Sequence, residues 1–341
     1  MMQIKTLTDQ SAGLWDDYVN AHPEATFFHL SAWRQVLEQA YGHPCHYLYA
    51  EADGKIRGVL PLAHLRSRLF ANALVSTPFC VYGGVLSDDG EARLSLEKAA
   101  TGLAGELKVD YLEYRYLRQP ASDRPAKDLY VTFRRQLDPD PEANLKAVPR
   151  KQRAMIRKGI KAGLESVIDP GVDRFYELYA ESVRNLGTPV FPKRYFETLK
   201  RIFADACEIL VVEHQGVPVA GVMNFYFRDQ VLPYYGGGVA AARNLKANDF
   251  MYWEVMRRAV EKGVKLYDFG RSKRGTGSYR FKTHWGFEPQ PLHYQYELIE
   301  AGELPDVNPL NPKYQLFIKA WRKLPLPVSK IVGPWLARSL G

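Results

Sequence analysis

The sequence predicts an α/β (α+β) protein of two tandem domains, each a mixed, twisted sheet flanked by helices. Three observations point there. A chain of 341 residues is long enough for two domains of ordinary size. Helical and strand-like patterns recur in the same order in both halves. Three short motifs also recur in that order: the hairpin glycines Gly54 and Gly216 lie 162 residues apart, Tyr82-Gly83-Gly84 and Tyr235-Gly236-Gly237 lie 153 apart, and Val109–Tyr114 and Val264–Phe269 lie 155 apart. A nearly constant offset marks duplication of one unit.

In the first half, Ser31 is a helix-capping type, and Trp33, Val36, Leu37, Ala40 and Tyr41 then share one face closed by Gly42. Residues 45–52 and 56–63 read as strands around Asp53-Gly54, a strong hairpin signal. A strand is expected over 79–86. A helix follows over 91–107, with Leu96, Ala99, Ala100, Leu103 and Leu107 in register, and Asp110 to Arg115 is strand-like.

The second half repeats the pattern. Helices are expected over 173–186 and 194–206, then strands over 208–214 and 217–227 around Gln215-Gly216, and another over 231–237. Asn248 caps a helix bearing Tyr252, Val255, Met256 and Ala259, closed by Gly263. Lys265 to Phe269 and Leu292 to Ile299 are strand-like. Asp138-Pro139-Asp140-Pro141 breaks the strand before it. The expected domains are 1–145 and 146–310, followed by a basic amphipathic tail over 311–341.

With 46% hydrophobic and 25% charged residues, the chain is neither disordered nor fibrous. Its net charge of +8 suits a phosphorylated or polyanionic ligand or an anionic membrane surface, without indicating nucleic acid by itself. Cys45, Cys80 and Cys207 are odd in number and far apart, so neither a disulfide framework nor a Cys-x-x-Cys site is expected. The N-terminus has no signal-peptide core and no apolar run approaches a membrane span, so a cytoplasmic location is expected. Gly-x-Ser-x-Gly, His-Glu-x-x-His and Walker A motifs are absent. His43 and His46 flank Cys45, a triplet that is usually structural at the entry to a strand.

Four features carry candidate chemistry. A basic helix is expected over 146–163, where Asn144 to Gly163 holds seven cations and no acid. Arg153, Arg157 and Lys161 fall four apart on one face and suit a diphosphate; a solvated surface is the plain alternative. The stretch Arg271–Lys282, read as a glycine-bearing loop after the strand end Asp268-Phe269-Gly270, mixes five cations with glycines and suits an anion. The glycines after Tyr82 and Tyr235 suit either close approach of a ligand or a tight turn. The tail has six cations, no acids and Tyr314, Phe317, Trp321, Ile331, Val332, Trp335 and Leu336, which suits an anionic membrane or packing on the body.

Taken together, the duplicated unit, the Trp33 helix, the basic pattern of Arg153, Ile156, Arg157, Lys158, Lys161 and Gly163, the Tyr-Asp-Phe-Gly strand end and Phe281-Lys282 resemble the FemABX family over nearly the whole chain. Ala21–Tyr49 and Ser76–Gly84 look most like its FemAB-related branch associated with exosortase and PEP-CTERM exopolysaccharide systems. The resemblance implies two GNAT-like acyltransferase domains and transfer of an aminoacyl group from charged tRNA to an amine of a peptidoglycan precursor. It implies that Lys282, beside Phe281, stands near the reacting carbonyl. Arg157 and Arg153 would meet a nucleotide diphosphate, and Trp33 and Tyr82 would line the acceptor groove. This chain has no long heptad arm, and it has Gly83-Gly84 where the family usually has Gly-Pro.

The reading is therefore an acyl- or aminoacyltransferase acting on a nucleotide- or lipid-linked glycan or peptide of the cell envelope or an exopolysaccharide. Lys282, Phe281 and Asp268 are the catalytic candidates; Tyr235, Arg271 and Tyr279 join the binding set. Asp268 and Asp88 are candidate proton acceptors. No resident cofactor or metal is expected. The acyl-CoA loop of GNAT proteins carries two glycines, but Arg243–Asn248 has other residues at both places, so an activated donor such as aminoacyl-tRNA is expected over acyl-CoA. The competing reading is a non-catalytic protein that holds a lipid- or nucleotide-linked glycan, against which the Phe281-Lys282 pair argues.

Overall fold

The computed structural model describes residues 1–67, 72–305 and 312–339. The chain forms two compact units, one of Met1–Tyr130 with Pro291–Val307 and Arg338–Gly341, the other of Val131–Gln290 with Asn308–Ala337.

The first unit runs β1 (Gln3–Thr6), α1 (Ala12–Ala21), α2 (Ala32–Tyr41), β2 (Cys45–Ala52), β3 (Lys55–Arg66), β4 (Asn72–Ser76), β5 (Leu86–Ser87), α3 (Gly90–Glu106), β6 (Tyr111–Tyr116) and β7 (Ala126–Lys127). The second continues with β8 (Tyr130–Gln136), α4 (Pro141–Ala147), α5 (Arg150–Lys161), β9 (Leu164–Asp169), α6 (Asp173–Leu186), α7 (Lys193–Phe203), β10 (Cys207–His214), β11 (Val217–Phe227) and β12 (Gln230–Gly238). Then come α8 (Ala242–Leu245), α9 (Ala247–Glu261), β13 (Leu266–Asp268), β14 (Ser272–Lys273), α10 (Gly277–His284) and β15 (Pro289–Pro291). Strand β16 (His293–Leu298) belongs to the first unit, and α11 (Pro312–Trp321) and α12 (Leu326–Ala337) to the second.

Each unit holds one eight-stranded sheet among the described residues. The orders are β1-β2-β3-β4-β6-β16-β7, with β5 on β3, and β14-β8-β13-β12-β11-β10-β9, with β15 on β8. Both contain long antiparallel runs, β1-β2-β3-β4 and β9-β10-β11-β12, followed at the same place by a parallel pair, β4 with β6 and β12 with β13. The two hairpins also match. Asp53 and Gly54 have φ of 51° and 72°, and Gln215 and Gly216 have 53° and 75°, the paired positive φ of a twist-compatible two-residue turn. Duplication is thus visible in topology as well as sequence.

Strand pairing moves the division between the units. β8 pairs with β13, and β16 pairs with β6, so each of these strands joins the sheet of the other half of the sequence. The cut expected at 145/146 falls within the second unit for this reason, while the one at 310/311 lies outside the described residues.

Some expected elements differ. Residues 79–85 are irregular; the strand equivalent to β12 is β4, so the Tyr82/Tyr235 match aligns a loop with a strand. The basic helix is divided at Val148-Pro149, because the α5 N-terminus is set by proline. Lys246, in the left-handed conformation, precedes α9 instead of an Asn248 cap.

In the first core, Leu96, Ala100 and Ala104 of α3 pack on Leu48, Leu60, Leu62, Leu74 and Leu112. In the second, Phe250, Met251, Val255, Met256 and Ala259 of α9 cover Leu210, Val222, Val231, Phe133 and Tyr267. Gly159 lets α5 approach α9 closely, since a Cβ there would lie 2.9 Å from Phe250 Cβ.

Candidate functional site

The second unit gathers five of the sequence-identified residues around the end of β13. Arg271–Lys282 is not a continuous loop as expected. Thr276 caps α10, its side chain accepting from the Tyr279 amide, and the helix carries Tyr279, Phe281 and Lys282 back over the sheet. Phe281 packs against Tyr252, Phe269 and Trp285, and Tyr279 lies edge-on to Phe133.

Lys282 is only 8% exposed. Its Nζ donates to Gly270 O at 2.8 Å and to Arg271 O at 3.1 Å. It also lies 5.5 Å from the ring centroids of both Phe133 and Phe269. Burial pulls its pKa down to about 7; the charge of Asp268 opposes this and that of Arg271 adds to it. The side chain is thus an ammonium that loses its proton readily, held among aromatic faces.

Asp268 is fully enclosed and heavily engaged. One carboxylate oxygen accepts from Thr132 Oγ1 at 3.1 Å and from the Gly270 amide at 2.9 Å, and the other lies 3.3 Å from Arg134 Nε. It therefore pins the turn whose carbonyls receive Lys282. Arg271 contributes its carbonyl to the same arrangement.

Asp249 is a residue that sequence reading passed over. Buried at the start of α9, it accepts from Gln152 Nε2 at 2.5 Å and from Trp285 Nε1 at 3.1 Å. Burial raises its pKa, against these two donors. One carboxylate thereby ties α5 and the end of α10 to α9. An acid in the first turn of an apolar helix is the signal that reveals it, but its partners are distant in sequence.

On α5, Ile156 and Gly159 face inward. Outward, Arg150, Arg153, Ala154, Arg157, Lys158 and Lys161 line a shallow hollow of about 340 Å³. Arg153 also donates to Lys146 O at 3.0 Å. The four-residue spacing thus forms a cationic face as expected. Tyr235 lies elsewhere, its hydroxyl 2.9 Å from that of Tyr195 within a cluster containing Tyr179, Phe191 and Phe196.

In the first unit, Trp33 and Tyr82 are core side chains, 0% and 2% exposed, which corrects the reading of them as groove-lining. Trp33 donates to Phe27 O at 3.1 Å, and Tyr82 lies edge-on to Phe28. The apolar periodicity that marks Trp33 as a core position prevails over the role implied by resemblance. Gly83 and Gly84 are required by packing, because a Cβ on either would overlap Thr77 or Tyr116. Gly237 and Gly238 are likewise crowded by Ser182 and Ala242. Asp88 pairs with Arg57 and accepts from Tyr18 Oη at 2.9 Å, a local bracing role.

Between β12 and α9 the backbone folds on itself. The amides of Ala242, Arg243, Asn244, Leu245 and Lys246 all donate to carbonyls of residues 239–243. The Ala240 amide donates to Glu181 Oε1 at 3.1 Å.

Residues 150–283, which include α5, α9 and Lys282, match the family model of the acetyltransferase (GNAT) domain. A search of curated protein sequences gives no match. Among solved structures, that of FemX is 16% identical and covers 93% of this chain and 100% of its own, with a TM-score of 0.67. The C-terminal domain of a putative lysylphosphatidylglycerol synthetase from Agrobacterium fabrum is 12% identical, covers 86% of this chain and 92% of its own, and has a TM-score of 0.57. A tandem GNAT protein from the clavulanic acid biosynthesis pathway is 15% identical and covers 89% and 100%, with a TM-score of 0.55. At these identities the likeness establishes the fold. The chain has a tandem GNAT fold, and its residues 150–283 are similar to the acetyltransferase (GNAT) domain.

Proposed function

We propose that the protein transfers an activated acyl or aminoacyl group to an amine of a cell-envelope or exopolysaccharide precursor, with Lys282 stabilising the developing charge. The observation that carries this is the setting of Lys282: a buried ammonium, aimed by two carbonyls, within the matched acyltransferase domain. In such a reaction the amine nitrogen attacks the acyl carbon, the bond to the leaving oxygen breaks, and a proton passes from nitrogen to that oxygen. Negative charge collects on the former carbonyl oxygen between these events. An ammonium has three donors. The Gly270 and Arg271 carbonyls take two, and the third would meet the oxyanion, in a site of low polarity where such a contact has its largest effect. Asp268 acts as a positioning residue. The proton relay is then substrate-assisted.

The turn between β12 and α9 supports a donor other than acyl-CoA. A pyrophosphate cradle needs free, converging amides, whereas the amides from Ala240 and from Ala242 to Lys246 are already bonded, one of them to a carboxylate. Aminoacyl-tRNA is the donor this reading favours. Incubation of an amine acceptor mixture with labelled aminoacyl-tRNA, or with labelled acetyl-CoA, tests it. Label is expected on the acceptor from the tRNA ester. Transfer from acetyl-CoA alone overturns the donor assignment, and binding without transfer from any donor overturns the enzyme.

The cationic face of α5 is assigned to the diphosphate of a nucleotide- or lipid-linked acceptor. Arg157→Ala is expected to weaken binding of a UDP-linked precursor by about 1.5–3 kcal/mol, the range for a hydrogen bond to a charged group. Arg157 is exposed, so folding should be unchanged. Calorimetry reads the affinity directly; an unaltered value returns this face to plain solvation.

A further inference from the structure

No helix among the described residues is long and apolar enough to cross a membrane. The two C-terminal helices nevertheless have an unusual distribution of side chains. In α12, Ser329, Gly333 and Ala337 repeat every four residues on the buried edge. Gly333 lies so close to Val190 that a Cβ would stand 2.7 Å from its backbone nitrogen. The large apolar residues lie on the other side. Val328, Ile331, Val332 and Trp335, spaced as one helical stripe, are 40%, 77%, 39% and 66% exposed. In α11, Trp321 is buried, while Leu316 and Phe317 are exposed.

This arrangement is held in place. Arg184 donates to Leu324 O at 3.0 Å, Arg322 donates to Leu186 O at 3.3 Å, and Lys330 pairs with Glu177. Ile318 fills the space beside Gly187. The stripe is therefore displayed by a packed helix: one edge of α12 packs on the body, and the other presents large apolar side chains.

We propose that the outer face of α11 and α12 seats the protein on an anionic lipid surface. Charge decides between occupants. From residue 312 to the C-terminus the sequence has Lys313, Lys319, Arg322, Lys323 and Arg338, besides Lys330 that Glu177 engages, and no acid. Lys319 and Lys323 are exposed beside the apolar residues of α11. A second copy docking by the same face would bring these cations together. An anionic interface complements them and accepts an indole and branched apolar side chains at headgroup depth. This surface is independent of the chemistry proposed for Lys282.

Co-sedimentation of the full chain with phosphatidylglycerol–phosphatidylcholine vesicles, and with phosphatidylcholine alone, tests the proposal. Binding is expected to the anionic vesicles and to weaken with salt. Ile331→Ser with Trp335→Ser is expected to lower it roughly tenfold or more, and Lys319→Glu with Lys323→Glu roughly tenfold. Both pairs are exposed, so thermal unfolding should be unchanged. Brominated acyl chains should quench wild-type fluorescence more than that of Trp335→Phe. Wild-type indifference to anionic lipid, or undiminished binding by the Ile331/Trp335 variant, overturns the proposal. Self-association abolished by that variant without vesicle binding assigns the stripe to a second copy instead.

Discussion

Replacing Lys282 by Met is expected to lower kcat and kcat/KM together by about 10²–10³, with little change in substrate affinity. A group that acts on charge present only in the transition state has this signature. Met keeps most of the stem between Phe133 and Phe269, so it separates loss of charge from loss of packing. Lys282→Arg keeps a cation but alters its position and should recover part of the rate. Single-turnover transfer from the donor found by labelling is the assay. A Met variant close to wild type removes Lys282 from the chemistry, and a change confined to KM makes it a binding residue.

Arg115→Ala is expected to produce the largest stability loss, about 3–5 kcal/mol, through an uncompensated buried charge. Arg115 and Glu113 are 3% and 7% exposed, and Arg115 Nε lies 2.6 Å from Glu113 Oε1. The same guanidinium donates to Cys80 O at 3.0 Å and covers the ring of Tyr294. It thus fixes the irregular 77–85 segment as well as β6. Urea unfolding followed by fluorescence of the buried Trp15 and Trp33 measures the change. Glu113→Leu with Arg115→Met should restore much of the stability, because it removes both charges and fills the volume. A loss below about 1 kcal/mol for Arg115→Ala would mean that Glu113 finds water or another partner.

What the sequence makes legible follows from the range of the interactions involved. Asp53-Gly54 and Gln215-Gly216 announce their hairpins because the turn is set by two residues' φ. The α5 face is readable because four-residue spacing is a local property. The segment 79–86 looks like a strand: an apolar run ending in glycines. Its actual path depends on Thr77 and Phe79 at positive φ and on the Arg115 guanidinium and carbonyl, which meet it from β6. The exchange of β8 and β16 is equally hidden, since alternation fixes a strand's faces and not its neighbour. Lys282 is singled out by its place after an aromatic, within a family resemblance. Its titration is not readable that way, because the burial that lowers it comes from Phe133 on β8, from Phe269 just past β13 and from the turn pinned by Asp268. Trp33 shows the converse: its periodicity states its role correctly, and the resemblance overrides it.

The most direct test of Lys282 as the working cation is the ratio of kcat/KM for wild type to that for Lys282→Met, followed from about pH 5.5 to about pH 9. Taking the ratio removes titration of the acceptor amine, which both proteins share. Burial sets the Lys282 pKa at about 7, so its proton is held below that pH and lost above it. The predicted ratio is high and level below pH 7 and falls toward about tenfold per unit above it. A ratio that stays constant across the range, or that rises as Lys282 loses its proton, contradicts the account.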